Sequence, residues 1–307
     1  LNTRYHAAPD APMLLLRTAL TPQGNPQIVE AETVGGRLVP VRGRNQLAPF
    51  MPDLPRRFTS YRSYAAASLP EILGPTRLGA AETFRVTELR SGVFLSGLDG
   101  FVFQPLPAEA QLAPVFGLAA GDFDGDGRPD LYAVQNWFAP NPEVGRFSGG
   151  VSAFLLGDGR GGFTSVSAGT SGLLVPGDAK GLATFDQNGD GWPDFLLTRR
   201  GSPHLFFLNQ GVPTRRGLAV RLEGGTRAAI VAGARVTVTT AGGEKRLGEI
   251  STGGGYMSQS APEFYVSWQP ADLPLSIQTT WADGQSTSHT WNGQGTRLVL
   301  TAPPIRE

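Results

Sequence analysis

The chain has 307 residues, no cysteine and a formal net charge of zero, with 26 basic and 26 acidic residues. The lack of cysteine excludes thiol chemistry, cysteine-ligated zinc and disulfide bridges. The charge balance gives no electrostatic case for binding nucleic acid or an anionic membrane surface, and no apolar run reaches the ~18 residues that a membrane-spanning helix requires. Short runs of Val, Leu, Phe and Thr between turn residues, together with 41 Gly and 25 Pro, predict an all-β fold.

The first segment, residues 1–43, contains a strand–turn–strand pattern at 18–29 that aligns with an acidic loop further along the chain, at 122–132. Gly24 and Pro26 preserve the turn. Uncharged residues stand where the later loop has carboxylates: Ala19, Thr21, Gln23 and Gln27. Because calcium takes several oxygen ligands, many of them carboxylates, we expect this turn to bind no cation.

Residues 44–75 differ from the rest of the chain and predict a short helical insertion between strands. Ser68 is a suitable N-cap, because Glu71 stands three residues later and Gly74 can end the helix. The basic and aromatic residues at 56–64 resemble a ligand or nucleic-acid surface. At zero net charge, however, packing of the insertion against the strands is the favoured interpretation.

The stretch 82–104 predicts a hairpin-like pair of strands, 84–89 with 93–95, followed by a turn into a third strand. A similar arrangement recurs at 151–166, and the apolar run 205–208 repeats one of its strands. We therefore expect related outer strands in successive units of the chain.

The most informative stretch is the loop 122–130, which is followed at once by an apolar run. Its carboxylates stand at positions 1, 3, 5 and 9: Asp122, Asp124, Asp126 and Asp130. These side chains, with the backbone carbonyl of Arg128 at position 7, supply the oxygen ligands that Ca²⁺ prefers. Gly125 and Gly127 allow the backbone conformations that such wrapping demands. The pattern predicts a calcium loop.

An EF-hand is the competing interpretation of this loop. That motif needs a bidentate glutamate at position 12, where this chain has Ala133. It also needs a helix on each side, whereas Pro129 and the apolar run after Asp130 indicate a strand. The loop is therefore predicted to connect two strands.

A second copy of the loop begins 64 residues later, at 186 rather than 122, and has the same Gly-x-Pro-Asp ending. Its predicted ligands are Asp186, Asn188, Asp190, the backbone carbonyl of Trp192, and Asp194. Apolar flanks match on both sides of the two copies, so a chance pair of acidic turns is disfavoured. The repeat predicts two calcium sites and suggests the blades of a β-propeller.

These loops resemble the FG-GAP or VCBS repeats of integrin-type β-propellers and of many secreted bacterial proteins. In that family the loop binds calcium between the first two strands of a blade. The resemblance implies a partial propeller at residues 1–214, with three blades, a degenerate first blade and the helical insertion at about 44–75. Three copies cannot close a ring of six to eight blades. The remaining blades would then come from another part of the chain or from a partner.

The final segment, residues 215–302, alternates like half-buried strands at 218–222, 234–239 and 276–281. It is similar to the ASPIC/UnbV domain that follows VCBS repeats in relatives of cartilage acidic protein. The segments that carry this resemblance are Gly233–Val236, Gly255–Gln259 and Trp281–Gly284. Where that family reads His-Phe-Gly-Leu-Gly, this chain has Glu263–Ser267, so a role of that histidine does not carry over. A small β-sandwich-like domain is expected here.

The chain starts at Leu1 with neither a methionine nor a signal-peptide pattern, so we expect the start of the protein to be missing. The wider match, which includes 142–146, resembles the C-terminal part of large exported bacterial VCBS-repeat proteins. That resemblance implies a secreted or cell-surface location.

Two classes of function follow from the sequence. The first is a non-catalytic calcium-binding protein that mediates protein–protein interaction, adhesion or assembly. This class is favoured because the three histidines of the chain, His6, His204 and His289, lie in no recognisable catalytic or metal-ligand pattern. The second class is a lectin-like or polysaccharide-processing propeller, for which Trp137-Phe138 and Trp192 are the candidate sugar-binding aromatics, with Trp192 expected instead to pack between blades.

Overall fold

The computed structural model describes residues 5–21, 24–140 and 145–304. Strands hold 42% of these residues and helices 13%, so the protein is mostly β, as its composition predicts. The strands form several small sheets, and the chain divides between residues 90 and 91 into two compact units. None of the helices in the described ranges is long and apolar enough to cross a membrane.

The first unit contains a four-stranded antiparallel sheet and five short helices. Its elements are β1 (Met13–Thr18), β2 (Gln27–Val34), β3 (Arg37–Pro40), α1 (Arg44–Leu47), α2 (Leu54–Arg57), α3 (Tyr61–Ala66), α4 (Leu69–Leu73), α5 (Pro75–Gly79) and β4 (Glu82–Val86). The sheet order is β3-β2-β1-β4. The core joins apolar side chains of the strands to those of the helices: Leu16, Val29, Ala31, Leu47, Leu54, Leu69, Ile72 and Leu73.

The first four helices of this unit lie within the predicted insertion at 44–75, and α5 extends beyond it to Gly79. At α4 the Glu71 carboxylate accepts a hydrogen bond from the Ser68 backbone N–H at 2.7 Å, and the Ser68 hydroxyl accepts one from Glu71 N–H. Gly74 ends the helix with a φ of 79°, a backbone conformation that favours glycine. The predicted capping box and stop signal of this helix are confirmed.

In the N-terminal sheet β1 and β2 pair antiparallel, as the predicted strand–turn–strand pattern requires. Residues 22–23, within the predicted turn, lie outside the described ranges. The predicted hairpin of 84–89 with 93–95 is wrong, because β4 pairs with β1. The Glu88 carboxylate accepts hydrogen bonds from the backbone N–H groups of Leu89 and Arg90 at 3.0 and 2.9 Å. These hydrogen bonds lie in the segment between β4 and the next strand, which pairs with the strand that follows it.

The second unit begins with a two-stranded hairpin, followed by two sheets that carry the acidic loops. The strands are β5 (Gly92–Gly97), β6 (Gly100–Pro105), β7 (Val115–Gly121), β8 (Asp130–Gln135), β9 (Ala153–Gly157), β10 (Phe163–Val166), β11 (Asp178–Phe185), β12 (Asp194–Arg200) and β13 (Ser202–Phe207). A short helix, α6 (Ala168–Ser171), precedes β11, and a 3-10 helix spans Ala108–Gln111.

We call β7–β10 the first repeat sheet and β11–β13 the second repeat sheet. Both are antiparallel, and in both the strand order follows the chain. The two sheets share a hydrophobic core of Phe123, Tyr132, Leu182, Phe195, Leu197 and neighbouring residues. On its opposite face the first repeat sheet packs against Val93 of β5. All six residues of β8 are buried, as expected for a strand that is covered on both faces.

The rest of the second unit is the C-terminal domain, with strands β14 (Arg216–Glu223), β15 (Arg235–Thr239), β16 (Lys245–Glu249), β17 (Glu263–Trp268), β18 (Leu275–Thr280), β19 (Ser286–Trp291) and β20 (Arg297–Thr301). Short 3-10 helices span Ala228–Val231 and Pro270–Asp272. The strands form two sheets, β17-β14-β20 and β16-β15-β18-β19. Both sheets contribute to one core, which includes Leu218, Val220, Val236, Ile277 and Trp281.

Candidate metal centre

The first acidic loop connects β7 to β8, the first two strands of the first repeat sheet. Its carboxylates hold the backbone in a tight turn. Asp122 Oδ2 accepts a hydrogen bond from Gly127 N–H at 3.1 Å, and Asp124 Oδ1 accepts one from Asp126 N–H at 3.0 Å. Gly125 and Gly127 have φ angles of 81° and 89°. The left-handed conformations expected for these two glycines are therefore present.

Asp130 begins β8 and is fully buried. Its Oδ2 accepts from Phe123 N–H at 2.9 Å, and its Oδ1 accepts from Gly157 N–H of β9 at 3.0 Å. Burial raises the pKa of Asp130 to about 6, and the nearby Asp124 and Asp122 carboxylates act in the same direction. The two amide hydrogen bonds offset only part of this effect.

Three of the predicted ligands converge. Ligand oxygens of Asp122, Asp124 and Asp130 lie within 4.8 Å of one another, the one such group among the described residues. Asp122 Oδ1 is buried and has no hydrogen-bond partner among these residues, and burial raises the pKa of Asp122. A hard divalent cation would supply the missing partner and neutralise the clustered charge. The residues of this loop therefore fit calcium.

The two other predicted ligands of the first loop lie outside this group. Asp126 Oδ1 accepts from Arg128 N–H at 2.8 Å, and Asp126 Oδ2 lies 3.5 Å from the Arg128 guanidinium. Both side chains face solvent. The predicted role of Arg128 concerns its backbone carbonyl alone.

The second acidic loop connects β11 to β12 in the same way. Asp194 is fully buried and accepts from Gln187 N–H at 2.9 Å and from Asn209 N–H at 2.8 Å. Burial raises its pKa, and the Asp190 and Asp186 carboxylates add to the shift. Asp194 thus repeats the position of Asp130 at the start of the second strand.

Two of the remaining side-chain ligands of the second loop are bound to each other. Asn188 Nδ2 donates to Asp190 Oδ2 at 2.7 Å, and Asp190 Oδ1 accepts from Trp192 N–H at 2.9 Å. The Asp186 carboxylate pairs with the guanidinium of Arg297 at 3.3 Å. The guanidinium of Arg297, from outside the loop, is therefore a cationic partner for the first carboxylate of the second loop.

Comparison with protein families bears on the C-terminal domain. Residues 223–305 match the family model of ASPIC and UnbV. The predicted ASPIC/UnbV domain is confirmed. A search of the curated proteins found no match to the chain, so the interpretation of the acidic repeats rests on their residues and geometry.

The ASPIC/UnbV domain contacts the first loop through Ser267, at the end of β17. Ser267 Oγ lies 3.0 Å from Asp122 Oδ2 and 2.9 Å from the Gly125 carbonyl oxygen. Arg246 of β16 donates to the Ser267 carbonyl oxygen, and its side chain is 5% exposed. A cleft of about 450 Å³ beside these residues is lined in part by Asp122, Arg246 and Glu263.

The same domain contacts the second loop through the start of β20. Thr296 Oγ1 donates to the Gly189 carbonyl oxygen at 2.7 Å, and Arg297 donates to the Asp186 carbonyl oxygen at 3.1 Å. Gly191 and Gly217 approach so closely that a Cβ on Gly191 would lie 2.5 Å from the Gly217 backbone. The sequence alone did not identify these contacting residues. Its one signal in this region was that Glu263–Ser267 replaces the His-Phe-Gly-Leu-Gly of the family.

Trp192 of the second loop is 6% exposed, and its ring packs against the first loop. A Cβ on Gly125 would be 2.8 Å from its ring, and one on Gly211 would be 2.6 Å away. The expectation that this side chain packs internally is confirmed, so Trp192 is not available to stack on a sugar. The other candidate, Trp137, is 38% exposed.

The predicted match at 142–146 falls largely on residues 141–144, which lie outside the described ranges.

Proposed function

We propose that this chain is a non-catalytic, calcium-binding exported protein that acts as a scaffold for protein–protein interaction, adhesion or assembly. The observation that carries the proposal is the convergence of Asp122, Asp124 and Asp130 around a buried carboxylate oxygen that has no partner among the described residues. Calcium bound there would cross-brace the loop, because its shell is filled mainly by protein oxygens. The location is a secreted or cell-surface one, in a bacterium.

The arrangement of the repeat sheets supports a partial propeller of the FG-GAP or VCBS kind. Each sheet is an antiparallel meander, and each acidic loop joins its first two strands. The two sheets pack face to face through one core, as neighbouring blades do. The ASPIC/UnbV domain then forms a sandwich-like cap on both loops.

The β5–β6 hairpin supports the need for a protein partner or for further blades from the same or another chain. Phe94 and Phe101 are 69% and 75% exposed, and Leu98 and Val102 are exposed as well. Within the described ranges, β5 and β6 pair only with each other. Free strand edges beside exposed apolar side chains are sites at which another strand adds.

Calcium titration by calorimetry, with thermal unfolding in calcium and in chelator, tests the proposal. We expect calcium binding and a chelator-sensitive melting temperature, since a ligand at 100 times its Kd stabilises by about 2.7 kcal/mol. Asp124→Ala, which removes the ligand oxygen at the third loop position, should abolish the calcium-dependent shift. Asp99→Asn, in the exposed turn of the β5–β6 hairpin, should retain it. A wild-type protein that binds no calcium would contradict the proposal.

Carbohydrate binding is the second candidate function, and an exposed aromatic cluster favours it. Trp137 packs edge to face with Phe116, their ring centroids 6.2 Å apart, and Phe116 packs in the same way against Tyr256 at 5.2 Å. Tyr256 is 47% exposed. Exposed aromatic faces beside polar groups suit sugar rings. Glycan-array binding that is lost in Trp137→Ala, or polysaccharide lyase activity, would support this function, and the absence of both would exclude it.

A further inference from the structure

The two acidic loops share a sequence pattern but differ in what faces their first carboxylate. At Asp122 the ASPIC/UnbV domain supplies the neutral hydroxyl of Ser267; the Arg246 guanidinium acts on Asp122 electrostatically but forms no ion pair with it among the described residues. At Asp186 it supplies the guanidinium of Arg297. We propose that Arg297 takes the place of a calcium ion at the second loop, so that the chain binds calcium at the first loop alone and uses the second loop to dock the ASPIC/UnbV domain.

The hydrogen bonds of Asp186 support this difference. Its Oδ1 accepts from the N–H groups of Gly189 and Asp190 at 2.8 and 3.1 Å, and its Oδ2 accepts from Gly191 N–H at 3.2 Å. Arg297 Nη2 then approaches Oδ2 at 3.3 Å. Both oxygens are thus engaged in a carboxylate whose side chain is fully buried, whereas Asp122 keeps one buried oxygen without a partner among the described residues.

The third loop position adds to the difference. Asp124 of the first loop brings a carboxylate oxygen into the convergent group. Asn188 stands at the same position of the second loop and bonds Asp190 through its amide. The second loop therefore has one negative charge fewer, and two of its predicted ligands are bound to each other. Both changes weaken its hold on a divalent cation.

Arg297 also serves a second buried acid. Its guanidinium lies 3.8 Å from Glu263, whose side chain is 1% exposed and is also held by Arg221 at 3.2 Å and by the Tyr265 hydroxyl. The Arg297 side chain is itself 41% exposed, so solvent screens part of these interactions, but its removal would leave the buried Asp186 carboxylate without its cationic partner. Together with Thr296 on Gly189, Arg297 makes the second loop a charged docking point for the domain.

Calcium stoichiometry, measured by calorimetry on the whole chain, tests this inference. We expect one calcium per wild-type chain, one in Asp190→Asn and none in Asp124→Ala, which lacks the ligand oxygen at the third position. A wild-type stoichiometry of two, or the loss of a site in Asp190→Asn, would overturn the inference. It shares the first-loop site with the proposed function, but the failures differ: no binding by the wild type contradicts the proposed function, whereas two sites contradict only the inference.

Removal of the arginine gives the complementary test. In Arg297→Gln we expect the stoichiometry to rise from one to two, and the melting temperature to fall in chelator and recover in calcium. Arg235→Gln is the matched control, because Arg235 forms an exposed ion pair with Glu249 at 3.3 Å and should leave both quantities unchanged. A folded Arg297→Gln protein that still binds one calcium would overturn the inference. If this variant does not fold, the wild-type and Asp190→Asn measurements still decide.

Discussion

Gly125 is the residue at which both acidic loops and the ASPIC/UnbV domain meet. A Cβ at this position would lie 2.8 Å from the Trp192 ring and 3.4 Å from Ser267 Cβ. Its φ of 81° is also in the left-handed region. Two independent costs therefore oppose any side chain here: backbone strain and a clash with an indole that is itself packed in place.

We expect Gly125→Ala to lose about 3 kcal/mol of unfolding free energy, of which about 1 kcal/mol is the left-handed conformation and the rest overpacking. The matched control is Gly189→Ala. Gly189 has a φ of 78°, but a Cβ there would meet no atom within 4 Å, so we expect only the first cost. Denaturant unfolding of the two variants measures both losses. Equal losses would mean that the contact of Gly125 with Trp192 contributes nothing.

At the scale of elements, the sequence predicts those helices and loops whose determining residues lie close together in the chain. Ser68, Glu71 and Gly74 give α4, since its capping groups are three to six residues apart in the chain. The loop at 122–130 correctly predicts a strand–loop–strand unit, because Pro129 and the apolar run after Asp130 favour a strand over the helix of an EF-hand. The buried strand β8 follows from its continuous apolar run.

Contacts between residues far apart in sequence escape such reasoning. The pairing of β4 with β1 depends on which strand edge is free, and no local pattern around 82–86 encodes that choice. Arg297 and Asp186 are 111 positions apart, and Ser267 and Asp122 are 145 apart. The sequence therefore predicts the two acidic loops as equivalent, and only the folded structure shows that different side chains face them.

For the whole molecule, the buried carboxylates of the loops make the calcium-free protein less stable as the pH rises. Burial raises the pKa of Asp122, Asp130 and Asp194, that of Asp130 to about 6. An unfolded aspartate has a pKa of about 3.9. The folded state therefore binds protons more tightly than the unfolded state, and the ionised groups destabilise the calcium-free protein above about pH 6.

We expect calcium-free protein, stripped of metal and kept in calcium-free buffer, to become more stable as the pH falls from about 7 to about 5, through the folded-state pKa of Asp130. Thermal unfolding across this range measures the effect. Asp130→Asn should make the profile shallower, because the amide does not ionise. Saturating calcium should do the same, because the cation neutralises the first-loop carboxylates, while Asp194 of the second loop keeps a residual slope. Stability that rises with pH in the calcium-free protein, or an unchanged profile in Asp130→Asn, would show that the loop carboxylates do not control this linkage. A shallower profile in calcium, with the full slope restored on its removal, would identify the first loop as the site at which protons and calcium compete.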